Sequence, residues 1–249
     1  MLEISNVKVL SVNAGYFLGF DGSHTDYFMK PLRSVRADAD VERNAINEFQ
    51  ELLDSVNPDA VLLQEVDSGS FRSSLENQID LISDEASRFN WIYECKYRGL
   101  VFPNAPILRN MSNAVGIQGK NVVGHRLNHG RKNLVQEILL EDYSLFSVHL
   151  ATFSKRVRRK QLSEIRELVE GKNSVISGDF NFHNPGEKES AENVLGMDIK
   201  SPGPTFPAKD PSQRLDLVAH SDSVEISGVK ELGNRFSDHR PIRFSIDFM

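Results

Sequence analysis

Short apolar runs that end on a polar residue recur along the chain and predict a fold rich in β-strands. Residues 7–13 form one such run, which ends at Asn13, and residues 60–63 form another, which is followed by Gln64 and Glu65. Continuous apolar runs of this length are typical of strands that are buried on both faces. Similar runs predict further strands over 91–97, 112–118, 133–140, 145–150, 174–177, 214–219, 224–232 and 241–248.

Helical spacing of apolar residues separates some of these runs. The segments 38–56, 74–89 and 154–170 repeat apolar residues every three or four positions, which predicts amphipathic helices. The Pro-rich connection 184–212 shows little periodicity, so it is predicted to be an ordered surface loop. Because no repeat or linker divides the chain, we expect a mixed-sheet α/β sandwich that forms a single domain over 1–249.

Composition and charge narrow the class of protein. The chain has 39% hydrophobic and 26% charged residues with a net charge of −6, which is ordinary for a globular protein with a substantial core. This acidity argues against binding of nucleic acid by charge alone, although a bound divalent metal can supply local positive charge. The single cysteine, the N-terminal residues and the lack of a long apolar segment predict a cytoplasmic protein without a transmembrane helix. We also expect a monomer.

Polar residues of types that can bind metals or take part in catalysis lie at or just after the predicted strands. They are Asn13, Glu65, Asn113, His149, Asp179, Asn181, Asp216, Asp238 and His239. Buried groups of these types cost free energy unless they are paired or bound to a metal. Each residue taken alone also has a structural interpretation that stays open. Asn13 could cap a turn, Glu65 could be an ordinary exposed carboxylate, and His149 could be a core histidine.

Two short motifs favour a functional interpretation more strongly. In Ser-Gly-Asp-Phe-Asn, the glycine allows close backbone approach, and Asp179 and Asn181 lie on the same face of an extended segment. In Ser-Asp-His, the adjacent Asp238 and His239 can serve a metal and a phosphate from one turn. Asp216 is flanked by leucines and needs a partner, for which His239 is the candidate.

The ordered set of motifs resembles the endonuclease/exonuclease/phosphatase superfamily over the whole chain. The matching motifs are Val12-Asn13, Leu63-Gln64-Glu65, Ser112-Asn113-Ala114, Val148-His149-Leu150, Gly178-Asp179-Phe180-Asn181, Arg214-Leu215-Asp216 and Ser237-Asp238-His239. The resemblance implies a four-layer α/β sandwich, in which two packed mixed β-sheets carry helices on their outer faces. It also implies a metal-dependent phosphoester hydrolase, either a phosphodiesterase or a phosphatase.

By position, the resemblance implies a metal site and a group that stabilises charge. Glu65 would bind Mg²⁺, or alternatively Mn²⁺, with Asn13 and Asp238 completing or supporting the shell through oxygen atoms. His239, held by Asp216, would stabilise charge on the phosphoryl oxygens.

The same resemblance implies residues for the attack on phosphorus and for the leaving group. Asp179, steered by Asn181, would orient and deprotonate the attacking water. His149, oriented by Asn113, would contact a phosphate oxygen or assist the leaving group.

The substrate stays open between nucleic acid (DNA or RNA), lipid and a small phosphoester. The candidate substrate-binding residues are Asn113, Arg158 and Arg159. The two arginines belong to the basic run 155–160, for which a solvated helix face is the alternative. The aromatic segments 16–20 and 27–29 suit stacking on bases, peripheral lipid contact or packing inside the fold. The competing function is a catalytically silent protein of the same fold that binds nucleic acid or a phosphorylated ligand.

Overall fold

Two six-stranded mixed β-sheets form the centre of the molecule in the computed structural model, which describes residues 6–22, 38–97 and 110–247. The described strands are β1 Asn6–Asn13, β2 Ala60–Asp67, β3 Asn90–Cys95, β4 Met111–Ile117, β5 Asn121–Arg126, β6 Leu134–Leu139, β7 Ser144–His149, β8 Ser174–Asp179, β9 Asp198–Lys200, β10 Asp216–His220, β11 Glu225–Glu231 and β12 Ile242–Asp247. One sheet has the order β11-β12-β1-β2-β4-β3 and the other has the order β5-β6-β7-β8-β10-β9.

Four described α-helices flank the sheets: α1 Ala39–Val56, α2 Gln78–Glu85, α3 Lys155–Val169 and α4 Glu187–Leu195. Alternate residues of each strand face opposite sides, which explains why β1 contributes to two cores. Val9 packs between the two sheets, whereas Leu10 packs against α1 on the outer face of the first sheet. A third core joins α3 and α4 to the second sheet. The layers therefore run helix, sheet, sheet, helix, which confirms the expected four-layer α/β sandwich.

Local capping explains where two of the helices begin. The Asp38 side chain accepts a hydrogen bond from the Asp40 amide at 3.1 Å, and the Ser154 hydroxyl accepts one from the Val157 amide at 3.3 Å. The prediction for the second helix was too long, because α2 begins only after its cap at Asn77. Leu75 has a left-handed backbone and an exposed side chain, so it does not continue the helical stripe.

The Pro-rich connection 184–212 was wrongly predicted to be loop throughout. It contains α4, with Ala191 and Leu195 buried, and the short strand β9. The edge strand β5 was not predicted either, since its mostly polar sequence lacks an apolar run. Within the described segments, no helix combines the length and apolar character needed to cross a bilayer.

Candidate active site

Strand register brings the predicted polar residues to one edge of the two sheets. Parallel pairing places His149 at the end of β7 beside Asp179 at the end of β8, and antiparallel pairing sets Asp216 opposite Asp179. In the other sheet, Asn13 ends β1 beside Gln64. The ends of strands from both sheets therefore meet around Asp179.

Asp179 is the buried centre of this cluster. Its Oδ2 atom accepts a hydrogen bond from Asn13 Nδ2 at 3.1 Å and lies 3.4 Å from His149 Nε2, while Oδ1 accepts from the Asn181 amide at 2.9 Å. Burial raises the pKa of Asp179 to about 6, although the nearby His239 opposes that shift. A carboxylate with this pKa is suited to accept a proton near neutral pH.

Asn181 holds the segment after β8 in a defined shape. Its backbone has φ of 55°, in the left-handed region that asparagine tolerates better than most residues. The side-chain Nδ2 donates to the Leu150 carbonyl at 3.0 Å, which ties the Asp179 segment to the end of β7. The structure therefore brings Asn181 to Asp179 as a positioning group.

His239 and Asp216 form a buried charged pair. His239 Nδ1 lies 2.9 Å from Asp216 Oδ2, and the imidazole ring packs against the ring of Phe206 with centroids 4.9 Å apart. Burial alone would lower the pKa of His239, but the charge and hydrogen bond of Asp216 raise it to about 10. His239 is thus an imidazolium at neutral pH and can face a phosphoryl oxygen.

Glu65 lies in an irregularity of β2, between Leu63 and Val66, and its own backbone has φ of 57°. The Asn113 Oδ1 atom accepts a hydrogen bond from the Glu65 amide at 3.4 Å, so Asn113 supports this unusual backbone. Burial favours the neutral acid, but adjacent lysine ammonium groups hold the pKa of Glu65 well below its usual range. The carboxylate is therefore charged and partly open to solvent.

The adjacent ammonium groups belong to Lys96 and Lys132, two site residues that sequence reasoning missed. Their Nζ atoms lie 3.2 and 3.4 Å from Glu65 Oε1. Lys96 is fully buried against the Tyr16 ring, and burial lowers its pKa to about 8. A lysine between Cys95 and Tyr97 in a predicted strand was a usable signal, because a buried lysine needs an anionic partner.

Lys132 connects Glu65 to the end of β7. Its Nζ atom contacts His149 Nε2 and donates to Thr152 Oγ1 at 3.0 Å. The Lys132 carbonyl accepts from Gln161 Nε2 at 2.6 Å, so α3 fixes the backbone that carries this ammonium group. Lys132 is 18% exposed, unlike Lys96, and can reach a bound substrate.

His149 is buried within the cluster, but Asn113 does not orient it as expected. Asn113 bonds the Glu65 backbone instead, and His149 Nδ1 has no hydrogen-bond partner within the described residues. Burial and the neighbouring Lys132 and Lys96 charges hold the pKa of His149 well below its usual range. The imidazole is therefore neutral.

The turn Gly15–Phe17 links the three predicted metal-binding residues. Asn13 Oδ1 accepts from the Gly15 amide at 3.1 Å, and a Cβ atom at Gly15 would lie only 2.8 Å from Asp238 Oδ1. Tyr16 in the same turn places its hydroxyl 3.5 Å from Glu65 Oε1. Glycine with φ of 51° is thus required for this close approach.

The chemistry of these donors fits a hard divalent cation. Glu65, Asp238 and Asn13 offer carboxylate and amide oxygens, which Mg²⁺ and Mn²⁺ prefer, and the low pKa of Glu65 keeps it in the ligating form. No group of three or more His, Cys, Asp or Glu side chains with metal-binding geometry occurs in segments 6–22, 38–97 and 110–247. Water and substrate oxygens would therefore complete the shell, as is common for Mg²⁺.

Arg158 does not face the site, contrary to the prediction of a substrate contact. It is buried, and its guanidinium donates to Glu187 at 2.7 Å and to the carbonyls of Ala151 and Thr152 at 2.9 and 2.8 Å. These bonds occupy the guanidinium donors inside the protein. Arg159 is exposed on α3, and its contact with substrate stays a prediction.

The aromatic segment 16–20 packs inside the fold. Tyr16, Phe17, Leu18 and Phe20 are all buried, and three of them form a small core with Met111. Peripheral lipid contact through 16–20 was therefore the wrong interpretation of that segment. The second aromatic segment, 27–29, lies outside the described residues.

A sequence profile of the endonuclease/exonuclease/phosphatase family matches residues 13–239, which include every strand-end residue described above. The chain belongs to this family. The structure differs from the site predicted by sequence in two respects: a pair of lysines lies beside Glu65, and Arg158 faces inward. No curated protein matches the chain at the sequence level.

Solved structures share the fold at low sequence identity. The mannosyl-6-phosphatase of Bacteroides thetaiotaomicron has a TM-score of 0.68 at 13% identity, covering 97% of this chain and all of that one, 100%. The human Nocturnin catalytic domain with bound sulfate has a TM-score of 0.66 at 18% identity, covering 98% and 95% of the two chains. D. rerio TDP2 complexed with single-strand DNA product has a TM-score of 0.66 at 13% identity, covering 98% and 99%.

Proposed function

We propose that this chain is a Mg²⁺-dependent phosphoester hydrolase in which Asp179 activates water and His239 stabilises the phosphoryl group. The observation that carries the proposal is the juxtaposition, through Asp216, of two buried groups whose pKa values are both raised, one to near neutrality and the other well above it. Asp179 is shifted to about 6 and His239 to about 10, so one is poised to accept a proton while the other holds positive charge. Membership of the family supports a phosphoester substrate.

Asp179 is positioned for proton transfer by its neighbours. The Asn181 amide holds Oδ1 and Asn13 holds Oδ2, so the carboxylate cannot rotate freely. At neutral pH it is largely ionised and takes a proton from a water molecule aligned with phosphorus. Fixing that alignment before the reaction reduces the entropic part of the barrier.

The cationic groups of the site act on the phosphoryl oxygens. His239 is kept protonated by Asp216, and the partly exposed Lys132 presents a second positive charge beside neutral His149. A divalent ion held by Glu65, with Asn13 and Asp238, would add Lewis-acid stabilisation of charge on phosphorus. Preorganised charges of this kind are a main source of rate enhancement in phosphoryl transfer.

Hydrolysis of bis-p-nitrophenyl phosphate and p-nitrophenyl phosphate with Mg²⁺ or Mn²⁺ tests the proposal. We expect metal-dependent turnover by the wild type and losses of about 100-fold or more in Asp179→Ala and His239→Ala. Asp142→Ala is the matched control, because Asp142 is an exposed carboxylate in the β6–β7 turn, at the opposite end of β7 from His149.

The ratio of the wild-type rates on bis-p-nitrophenyl phosphate and p-nitrophenyl phosphate also distinguishes a diesterase from a monoesterase. If no metal-dependent turnover appears on a broad panel of phosphoesters, while phosphate still binds and requires His239, the competing function of a catalytically silent binding protein replaces this one.

A further inference from the structure

Phe153 stands out among the apolar side chains of the described segments because it is completely exposed. Its side chain is 101% exposed, whereas the other exposed large apolar residues described range from 37% to 71%. Single exposed apolar residues are common on protein surfaces, so exposure alone assigns no role. Its location and its fixed backbone make Phe153 informative.

Phe153 lies in the loop between β7 and α3, at the rim of the active site. The preceding residue, Thr152, accepts a hydrogen bond from Lys132 Nζ, and the same ammonium group contacts His149 and lies 3.4 Å from Glu65. One residue therefore separates Phe153 from a group that touches the catalytic cluster.

Polar side chains hold the backbone on both sides of Phe153, and the two on its N-terminal side, Gln161 and Arg158, are buried. The Ala151 amide donates to Gln161 Oε1 at 2.9 Å, and Arg158 donates to the carbonyls of Ala151 and Thr152. On the other side, the Ser154 hydroxyl caps α3. This loop cannot easily rearrange to bury the phenyl ring.

The usual structural role for an apolar residue at this position is absent. An apolar residue just before a helix cap often packs against the fourth residue of the helix, which here is Arg158. Arg158 points inward to Glu187 instead, and Phe153 remains uncovered.

Exposed cations continue from Phe153 along the first turns of α3. They are Lys155, Arg156, Arg159 and Lys160. Residues 155 and 159, and likewise 156 and 160, are four apart and lie on neighbouring rows of one helix face. The segment 151–163 contains no acidic residue, although the whole chain has a net charge of −6.

We propose that Phe153 and these α3 cations form a subsite for single-stranded nucleic acid. A base would stack on the phenyl ring and the adjoining phosphates would follow the helix face, which is the usual combination in single-strand binding. The inference rests on the proposed function, since it extends the same active site to its substrate strand. A single exposed ring suits one base, whereas attachment to a lipid surface needs a larger apolar area.

Binding of fluorescent single-stranded oligothymidylate and of an abasic oligonucleotide of equal length tests the subsite, with EDTA present to prevent cleavage. We expect Phe153→Ala to weaken binding of oligothymidylate by about fivefold or more, with little change for the abasic strand. The variant Leu139→Ala is the matched control, because Leu139 is also exposed but lies where β6 pairs with the start of β7. It should bind both oligonucleotides like the wild type.

The cations are tested by salt dependence. We expect the double variant Lys155→Ala/Arg159→Ala to weaken both oligonucleotides and to reduce the slope of log K against log salt by about 1.4. Equal losses for the two oligonucleotides in Phe153→Ala, or no binding of either by the wild type, would overturn the proposal. The proposal would also be overturned if Phe153→Ala weakened binding to vesicles of phosphatidylglycerol and phosphatidylcholine but did not weaken binding of oligothymidylate.

The two proposals fail separately. Metal-dependent hydrolysis of small phosphoesters without Phe153-dependent base binding would leave the proposed function in place and remove the subsite. Phe153-dependent base binding in a protein that hydrolyses no phosphoester would retain the subsite and remove the proposed function.

Discussion

Two buried ionic clusters lie at opposite ends of the segment 180–186: one surrounds Asp179 and the other is the pair of Glu187 with Arg158. They differ in how many of their hydrogen-bonding atoms have a partner. Arg158 and Glu187 satisfy each other, and Glu187 Oε2 also accepts from the Asn184 amide and side chain at 3.1 Å. Despite burial, these hydrogen bonds lower the pKa of Glu187. Around Asp179, by contrast, His149 Nδ1 has no partner in the described residues, and the pKa of Asp179 is raised.

This difference in pairing distinguishes the structural ion pair Arg158–Glu187 from the candidate active site around Asp179. Buried charges that serve stability are fully paired, because each unpaired group costs free energy. A catalytic cluster retains unpaired atoms and shifted pKa values, because substrate, metal and water complete it. The prediction from the basic run that Arg158 contacts substrate fails for this reason, since Arg158 stabilises the loop that carries Thr152.

Asp179→Asn should separate activity from stability most strongly. We expect kcat to fall by about 100- to 10,000-fold, because the amide cannot accept the proton of water. The free energy of unfolding should stay the same or rise, because the variant removes a buried carboxylate that its environment disfavours. Steady-state hydrolysis and urea denaturation measure the two effects. If Asp179→Asn instead lowered the free energy of unfolding enough to explain the lost activity by unfolding, Asp179 would be a structural group.

Arg158→Met should show the opposite behaviour. It leaves Glu187 buried without its cation, so we expect a loss of about 3–5 kcal/mol in the free energy of unfolding. The double variant Arg158→Met/Glu187→Met should recover much of it. Arg159→Met is the control on the exposed face of α3, where we expect a change within about 0.5 kcal/mol. Full stability in Arg158→Met, measured by urea denaturation, would contradict the structural role.

Asp216→Asn should move the alkaline limb of the pH–rate profile. Asp216 raises the pKa of His239 to about 10, so the imidazolium is present below that pH and is lost above it. Without the carboxylate the pKa falls, and activity should be lost at a pH about one unit lower or more. The acid limb, governed by Asp179, should shift less. An unchanged alkaline limb in kcat/KM would show that His239 does not act as a cation.

Glu65→Gln should weaken Mg²⁺ binding by about tenfold or more, and His149→Ala should weaken it less. Glu65 offers a charged oxygen to the ion, whereas His149 is a neutral neighbour. Calorimetric titration of both variants gives the comparison. Equal effects would remove Glu65 as the principal ligand.

Much of the fold and the site was predictable from the sequence because strand-end residues are local features. Asn13, His149 and Asp179 follow apolar runs directly, and each ends its strand in the structure. Contacts between distant segments were harder to predict. The ion pair of Arg158 with Glu187 and the approach of Lys132 to Glu65 depend on tertiary packing, which helical periodicity does not encode.

A crystal structure with Mg²⁺ and inorganic phosphate tests the central claim most directly. We expect the metal on Glu65, with Asn13 or Asp238 contributing directly or through water, and a phosphate oxygen on protonated His239. A water molecule or phosphate oxygen should lie within hydrogen-bond distance of Asp179. A metal bound away from Glu65, together with a phosphate that contacts neither His239 nor Asp179, would contradict the assignment of this cluster as the active site.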